Sequence, residues 1–342
     1  HDIEEAYPLL LIENPSTDPS YNHALEEYLL RNIQEDVFMV WQNVPTILIG
    51  RNQDARCEYD ADYAEEKGIR VVRRLSGGGT IYCDLKNLQY TLIAPFRDEG
   101  EAKNPFLKFA APVVDALRQL GIDAEFTGRN DITVEGKKVS GNAQFRFENR
   151  VLHHGTLLFD VDMEAISRAL KPNPVKLVNK QIQSVASRIG TLSEYVRMDV
   201  RAFMEYLKGH FMKHYGIQET YVLREDELRE VMRIKRERFD SPSWNLGVRY
   251  RFTHSYDVHH PFGMIGYRLD VDAGVIRHAE ILGDFFGDRD VLELAQRLKG
   301  NALERGALVR CLEGVRAGDY IHGMENEVLI GDVMAARTTD AA

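Results

Sequence analysis

The chain has 342 residues, 44% apolar and 28% charged, an ordinary globular composition with length for two domains or one large one. Its 43 basic and 53 acidic side chains leave a formal charge of −10, which argues against a nucleic-acid binder, whose affinity rests on neutralising phosphates. No run approaches the roughly 18 apolar residues of a membrane span, and the start, His1-Asp2-Ile3-Glu4-Glu5, lacks the basic and apolar parts of a leader and reads as processed or tagged.

Leu9–Ile12 reads as a strand. From Ser20 to Asn32, Ala24, Leu25, Tyr28 and Leu29 recur at helical spacing, which predicts an amphipathic helix with Ser20 as its N-cap. Apolar runs at Val37–Trp41, Ile47–Ile49, Ile69–Val72 and Tyr90–Ala94 predict strands, with helices near Asp60–Lys67 and over Phe106–Leu120. Within this stretch lies Arg73-Arg74-Leu75-Ser76-Gly77-Gly78-Gly79-Thr80-Ile81-Tyr82. Such a segment suits an anion: glycines accept positive φ and let backbone N–H groups converge, and arginines add charge and forked donors. A tight hairpin turn is the competing reading. The segment has no Gly-Lys-Ser/Thr ending and no Gly-x-Gly-x-x-Gly opening a helix. Ile81, Cys83 and Leu85 alternate with Tyr82 and Asp84, so the loop is expected to join two strands and to hold its anion in a backbone nest.

Further strands are expected at Ala124–Phe126, Ile132–Val134, Lys138–Phe145 and Gly155–Phe159. Glu135-Gly136-Lys137 looks like a hairpin tip that sets Asn130-Asp131 and Lys138 on adjacent strands. Arg70, Arg73 and Arg74 form one basic cluster, and Lys137, Lys138, Arg146 and Arg150 another; each offers either local attraction for an anion or a solvated face. Lys171-Pro172-Asn173-Pro174 breaks the chain, Ala202–Tyr215 and Asp226–Arg238 read as helices, and Ser241–Gly247 reads as the next break. Val248–His254, Met264–Asp270 and Val275–Leu282 then look like three antiparallel strands, followed by helices near Arg289–Lys299 and Ala302–Arg310. The expected division is 1–247 and 248–342, the second part large enough to fold alone. The fold class is α/β with frequent hairpins rather than a regular βαβ series.

Three blocks follow one another in order: the Arg-Arg-Leu-Ser-Gly-Gly-Gly loop, Gly128-Arg129-Asn130-Asp131 with Lys138-Val139-Ser140-Gly141-Asn142-Ala143, and His153-His154-Gly155-Thr156. Together they resemble the lipoate–protein ligase family, and the resemblance extends to Trp41, to Ile49-Gly50-Arg51-Asn52-Gln53 and to Ser241–Gly247. It implies a mixed-sheet catalytic domain of the biotin and lipoate ligase type, with a smaller α/β C-terminal domain. It also implies a reaction in two halves: lipoate and ATP give lipoyl-adenylate and pyrophosphate, then a lysine of an acceptor displaces AMP. The implied partners are lipoate, ATP with Mg²⁺, and apo lipoyl carrier domains of 2-oxoacid dehydrogenases or the glycine-cleavage carrier protein. A cytoplasmic monomer is expected.

The first half needs a cation and backbone donors against charge added at the α-phosphorus. Lys138 is the leading catalytic candidate, placed by its match to the family lysine. In the second half, freeing an amine of ordinary pKa about 10.4 at pH 7 costs more than about 4 kcal/mol, and positive charge from Lys138 would lower that cost. The resemblance further implies that Ser76, Gly77, Gly78 and Gly79 hold the adenylate phosphate and ribose, that Arg74 approaches the acid or phosphate, and that the backbone at Ile81 and Tyr82 reads adenine. Asn87 and Asn130 match ligand-contacting positions, a turn-forming role being the rival for Asn87. Asp131 is either a proton acceptor or Mg²⁺ ligand, or an acid that pairs with Arg129 or caps a turn. Adjacent strand residues face opposite ways, so one of His153 and His154 is expected in the core, and His154 with Gly155 near the ligand.

Two positions depart from the commoner family pattern: Cys83 stands where histidine is frequent, and Lys86 where glycine is. Cys57, Cys83 and Cys311 form no Cys-x-x-Cys pair, which favours reduced thiols in a cytoplasmic protein. Cys83 keeps open a cysteine-dependent octanoyl or lipoyl transferase that uses a thioester without ATP, although a buried, inert thiol is the favoured reading. A non-catalytic paralogue that binds lipoate or a carrier is the other alternative.

Overall fold

Apolar runs in the first two thirds of the chain assemble into a large mixed sheet and a smaller three-stranded one. The computed structural model describes residues 9–96, 105–128, 130–170, 188–248 and 250–339. In chain order the strands are β1 (Leu9–Ile12), β2 (Asp36–Trp41), β3 (Thr46–Ile49), β4 (Arg70–Arg73), β5 (Ile81–Cys83), β6 (Leu88–Pro95), β7 (Ala124–Thr127), β8 (Asp131–Val134), β9 (Lys137–Phe147), β10 (Arg150–Leu157) and β11 (Thr220–Tyr221). The large sheet runs β11-β1-β2-β6-β10-β9-β8-β7, and a three-stranded sheet runs β4-β3-β5. β1 is parallel to both its neighbours, and the other pairs of the large sheet are antiparallel.

The strands bury both faces, as their continuous apolar runs require. On one face Phe38, Val40, Leu88, Tyr90 and Leu92 pack against Ala110, Val113 and Leu117 of the helix Pro105–Gln119 and Phe203, Leu207 and Phe211 of the helix Val200–Tyr215. The alternate residues, Thr91 and His154, meet the helix Pro19–Asn32 through Glu26. That helix starts at Pro19 and is capped by Asp18, whose carboxylate accepts from the Ser20 N–H at 3.1 Å. Ser20 is therefore not the cap; its hydroxyl donates to the Phe239 carbonyl at 3.1 Å. Nor is the helix amphipathic, since Asn22, His23, Glu26 and Glu27 are buried beside its apolar residues.

The chain divides into two compact units. The first takes the described residues up to Leu48, Tyr59–Arg73 and Ile81–Asn245; the second takes Ile49–Glu58, Arg74–Thr80 and the described residues from Leu246 onward. The second unit is built on β12 (His254–His260), β13 (Gly263–Asp272), β14 (Val275–Gly283) and β15 (Arg337–Thr338), ordered β14-β13-β12-β15 and antiparallel throughout. Tyr267, Leu269 and Ile281 of this sheet pack against Leu294, Leu308 and Leu329 from the helices Val291–Leu298, Arg305–Cys311 and Asn326–Ala335.

Two expectations about these segments need correction, and one element was not anticipated. The first strand of the second unit begins at His254, where it was expected to end; Val248 and Tyr250 stand exposed, and the true strand shows apolar character only at alternate positions such as Tyr256 and Val258. Ser241–Gly247 is not a simple break but contains the short helix Pro242–Leu246. Asn326–Ala335 is a helix that spacing did not single out. The expected break at Lys171–Pro174 lies outside the described residues.

Phe211 is fully buried and stacks on Phe38, their planes 5° apart. Phe211→Ala is expected to lower stability of the first unit by about 3–5 kcal/mol, read as a fall in the urea midpoint of its transition; a shift below about 1 kcal/mol would show that the ring does not anchor this core.

Candidate active site

The predicted site residues fall in both units: Arg74 and Ser76–Gly79 in the second, and Ile81, Tyr82, Asn87, Asn130, Asp131, Lys138, His154 and Gly155 in the first.

The glycine loop joins β4 to β5, two strands of one sheet, as expected. Two of its glycines, Gly77 and Gly78, are closely packed, whereas a Cβ on Gly79 would meet nothing within 4 Å. Among the three, Gly78 alone has positive φ, at 88°, and its N–H donates to the Phe285 carbonyl at 3.2 Å. A Cβ on Gly77 would come within 2.3 Å of the same carbonyl oxygen, and one on Gly50 within 1.9 Å of the Gly78 oxygen. The Arg74 guanidinium, buried, donates to Ser76 Oγ at 3.1 Å and to the carbonyls of Gly77 and Gly79 at 2.7 and 2.8 Å. Arg74 thus holds the loop's shape. Arg73 is turned to structure as well: its Nε donates to the Trp244 carbonyl, Trp244 Nε1 returns a bond to the Arg73 carbonyl, and Asn245 Oδ1 accepts the Arg73 N–H.

The hairpin between β8 and β9 turns at Glu135 and Gly136, both with positive φ (51° and 74°), the geometry that matches the twist of the flanking strands. The pairing then slips by one residue between Ile132 and Thr133. Such a bulge re-aims a side chain. Lys138 Nζ reaches Asp131 Oδ1 at 2.8 Å, and both side chains are more than a third exposed. The ammonium lies over Gly141, where a Cβ would stand 2.8 Å from Nζ, so the glycine makes room for the cation. Asp131 pairs with Lys138; Arg129, the partner expected from sequence, lies outside the described residues.

Several candidates have their polar groups engaged within the protein. Asn130 and Asn142 exchange side-chain bonds with each other's carbonyls at 2.7 and 3.0 Å. Asn87, buried, donates to Asp84 Oδ1 at 2.9 Å and accepts the Phe159 N–H at 3.0 Å, which is the turn-forming role. Asp84 Oδ1 also accepts the Lys86 N–H, and Lys86 is absent from the positive-φ residues, so the turn closes without glycine. Burial raises the Asp84 pKa, partly opposed by the donors of Lys86 and Asn87. β5 is an edge strand of its sheet, which leaves one backbone edge of Ile81 and Tyr82 outside that ladder. Arg150 is not part of an anion patch: it is buried and donates to the carbonyls of Gln34 and Glu35.

His154 and Gly155 face opposite sides of β10. Gly155 stands against Asn142 and the Tyr90 ring, which a Cβ would meet at 2.3 and 2.7 Å, the opposite face from His154 on adjacent strand positions. His153 shares the Tyr90 side, its Nε2 donating to Asn142 Oδ1 at 3.1 Å and its Nδ1 accepting from Gln144 at 3.0 Å. Burial, with the neighbouring His154, pulls the His153 pKa down to about 3. His154 lies on the other side, in a network that sequence reading missed. Glu26 Oε1 accepts from His154 Nδ1 at 2.9 Å and Thr91 Oγ1 at 2.6 Å, Glu26 Oε2 meets His23 Nδ1 at 2.7 Å, and Trp41 Nε1 donates to Thr91. Burial alone would raise the Glu26 pKa, but His154, joined by His23, holds the carboxyl well below the usual carboxylate range. The available signal was polar residues at three- and four-residue spacing, His23, Glu26 and Glu27, inside an otherwise apolar helical stretch.

Cys83 is 1% exposed, its sulfur within 3.5 Å of Asn43 Nδ2. It is the buried thiol expected. Among the described residues Asp131 belongs to no cluster of three metal-donor side chains.

These features define a mixed-sheet α/β enzyme with a separate C-terminal unit. The model of the lipoyl protein ligase A/B catalytic domain matches residues 18–212, and that of the bacterial lipoate protein ligase C-terminus matches residues 249–331. The chain is 38% identical to lipoate-protein ligase LplJ of Bacillus subtilis over 93% of this chain and 98% of the relative. In fold it is similar to P. falciparum LipL1 in complex with lipoate, with a TM-score of 0.76 at 20% identity over 96% of this chain and 98% of that one. A lipoate-protein ligase A bound with ATP superposes with a TM-score of 0.61 at 24% identity, over 71% and 99% of the two chains. The chain belongs to the lipoate–protein ligase family and is a ligase. Among the described residues no helix is long and apolar enough to cross a membrane.

Because burial, with the neighbouring His154, disfavours the charged ring, the folded chain resists protonation of His153. Below about pH 6.5 the unfolded chain binds a proton that the folded chain refuses until about pH 3. Stability therefore falls by up to about 1.4 kcal/mol per pH unit across that window. A His153→Gln variant is expected to show a flatter melting-temperature profile between these limits, and a profile parallel to wild type would rule this linkage out.

Proposed function

We propose that the chain joins free lipoate to ATP as lipoyl-adenylate and then transfers the lipoyl group to a lysine of a small carrier domain, from a 2-oxoacid dehydrogenase or the glycine-cleavage system. The observation that carries this reading is the Lys138–Asp131 pair on a bulged hairpin with Gly141 beneath it. Family membership and the likeness to a ligase bound with ATP support it.

In the first half, a lipoate carboxylate oxygen attacks the α-phosphorus and pyrophosphate leaves. Lys138 stabilises the charge that grows on the phosphoryl oxygens and the acyl carbonyl, an electrostatic role for a positioned cation. Asp131 holds the ammonium in place before substrate arrives, which reduces the cost of orienting a long side chain. The free backbone edge of Ile81 and Tyr82 suits a planar base read by main-chain groups. Ser76, Gly77, Gly78 and Gly79, braced by Arg74, form the phosphate and ribose loop of this reading, while Asn87, Asn130 and Gly155 keep the strands and turn in register. His154, anchored by Glu26, bounds the acyl side. Mg²⁺ enters with ATP, its ligands mainly substrate phosphates.

In the second half, the acceptor amine attacks the acyl carbon and AMP leaves with its negative charge. Lys138 disfavours a second ammonium nearby and so lowers the pKa of the incoming lysine. The functional division of this reading is 1–247 for catalysis and 248–342 for an accessory domain, acting as a cytoplasmic monomer.

Intact-mass analysis of an apo carrier domain with free lipoate is expected to show one added lipoyl group with MgATP and none without it; gain from a pre-acylated donor without ATP would overturn the adenylation reading. Lys138→Ala is expected to lower pyrophosphate release by at least about 10²-fold with unchanged circular dichroism and melting. Release at the wild-type rate would remove Lys138 from the chemistry.

A further inference from the structure

The helix Val200–Tyr215 carries two histidines four residues apart, His210 and His214, a spacing that sets side chains one turn above the other. Their rings lie 5.9 Å apart with planes 16° from parallel. Asp115 faces them from the helix Pro105–Gln119, its Oδ2 3.5 Å from His210 Nε2. The two helices are held together independently of these groups, by the shared core of Val113, Leu117, Phe203 and Leu207 and by a 2.7 Å bond from the Tyr206 hydroxyl to the Ala116 carbonyl. The donor groups therefore sit on rigid elements, which metal sites require.

His210 is 9% exposed, and among the described residues its Nε2 has no hydrogen-bond partner. A buried ring nitrogen without a partner calls for an explanation. Its 3.5 Å separation from the Asp115 carboxylate exceeds the ordinary N–H···O range of about 2.7–3.2 Å. It does match the edge of a tetrahedron whose ligand atoms stand about 2.0–2.1 Å from a central ion, roughly 3.4 Å. One donor atom from each of Asp115, His210 and His214 lies within 4.8 Å of the others. Gln119 Nε2 donates to the same Asp115 oxygen at 3.2 Å, as outer partners of metal-bound carboxylates do.

We propose that Asp115, His210 and His214 form a binding site for a late first-row divalent cation, zinc by preference, that cross-links the two helices covering the large sheet. Two imidazoles and a carboxylate favour such ions over Mg²⁺ or Ca²⁺, which take oxygen ligands. Positions left open by three protein ligands would be filled by water, since His214 lies at the exposed rim. The other trio of donors, His23, Glu26 and His154, differs in kind: both Glu26 oxygens are already engaged by Thr91 and the two histidines.

The test is titration of the tag-free, chelator-treated full chain with Zn²⁺ alone, by calorimetry and by melting temperature. Wild type is expected to take up an equivalent of Zn²⁺ that His214→Ala binds more than about tenfold less tightly, and Zn²⁺ is expected to raise the melting temperature of wild type but not of the variant. His214 is exposed, so its loss leaves the fold intact; Asp115→Asn is expected to repeat the result. No Zn²⁺ uptake by wild type, or equal uptake and equal thermal shift in wild type and His214→Ala, would overturn the site.

Discussion

A carboxylate with almost no access to water, Glu26, governs how the first helix seats on the large sheet. A buried charge is tolerated only where it is paired and fully hydrogen-bonded, and three donors from three elements meet that demand: His23 on the same helix, Thr91 on β6 and His154 on β10. Trp41 of β2 completes the chain of bonds through Thr91. The register of three neighbouring strands is therefore tied to one side chain, because a slip by one residue would turn Thr91 and His154 to the opposite face.

That alternation divides the labour of adjacent residues. His154 faces the helix and its acid, whereas His153 and Gly155 face Tyr90 and Asn142. On the next strands the same logic operates with one interruption. The bulge in β9 breaks the strict alternation where Lys138 must turn toward Asp131, and Gly141 leaves the space its ammonium occupies. The Lys138 ammonium is thus kept more than a third exposed, while the polar groups that set the framework are withdrawn from water.

Much of the first unit was legible because its strands are short apolar runs and its turns carry glycine or asparagine at positions with a mechanism. The Glu135-Gly136 tip and the proximity of Asp131 to Lys138 followed from that reading. The motif blocks made the family legible as well. Less legible were the helix Pro19–Asn32, where buried His23, Glu26 and Glu27 disguise its surroundings, and β12, whose sequence His-Ser-Tyr-Asp-Val-His-His resembles a surface segment. In both cases some of the polar side chains find partners far along the chain, Glu26 with Thr91 and His154 and His260 with Asp332, which local pattern does not show.

By itself the sequence determined which residues carry charge, which positions accept positive φ and where apolar runs repeat, since these properties belong to each side chain and its near neighbours. It named Lys138, the glycine loop and the paired histidines. Tertiary structure alone decided what each group faces. Arg74 braces the loop, Gly77 admits the Phe285 carbonyl, Asn87 and Asn130 hold turn and strand, and Asp115 comes to lie against His210 from another helix. The physical reason is that hydrogen-bond and ion-pair geometry acts over about 3 Å, a distance set by packing between elements that are far apart along the chain.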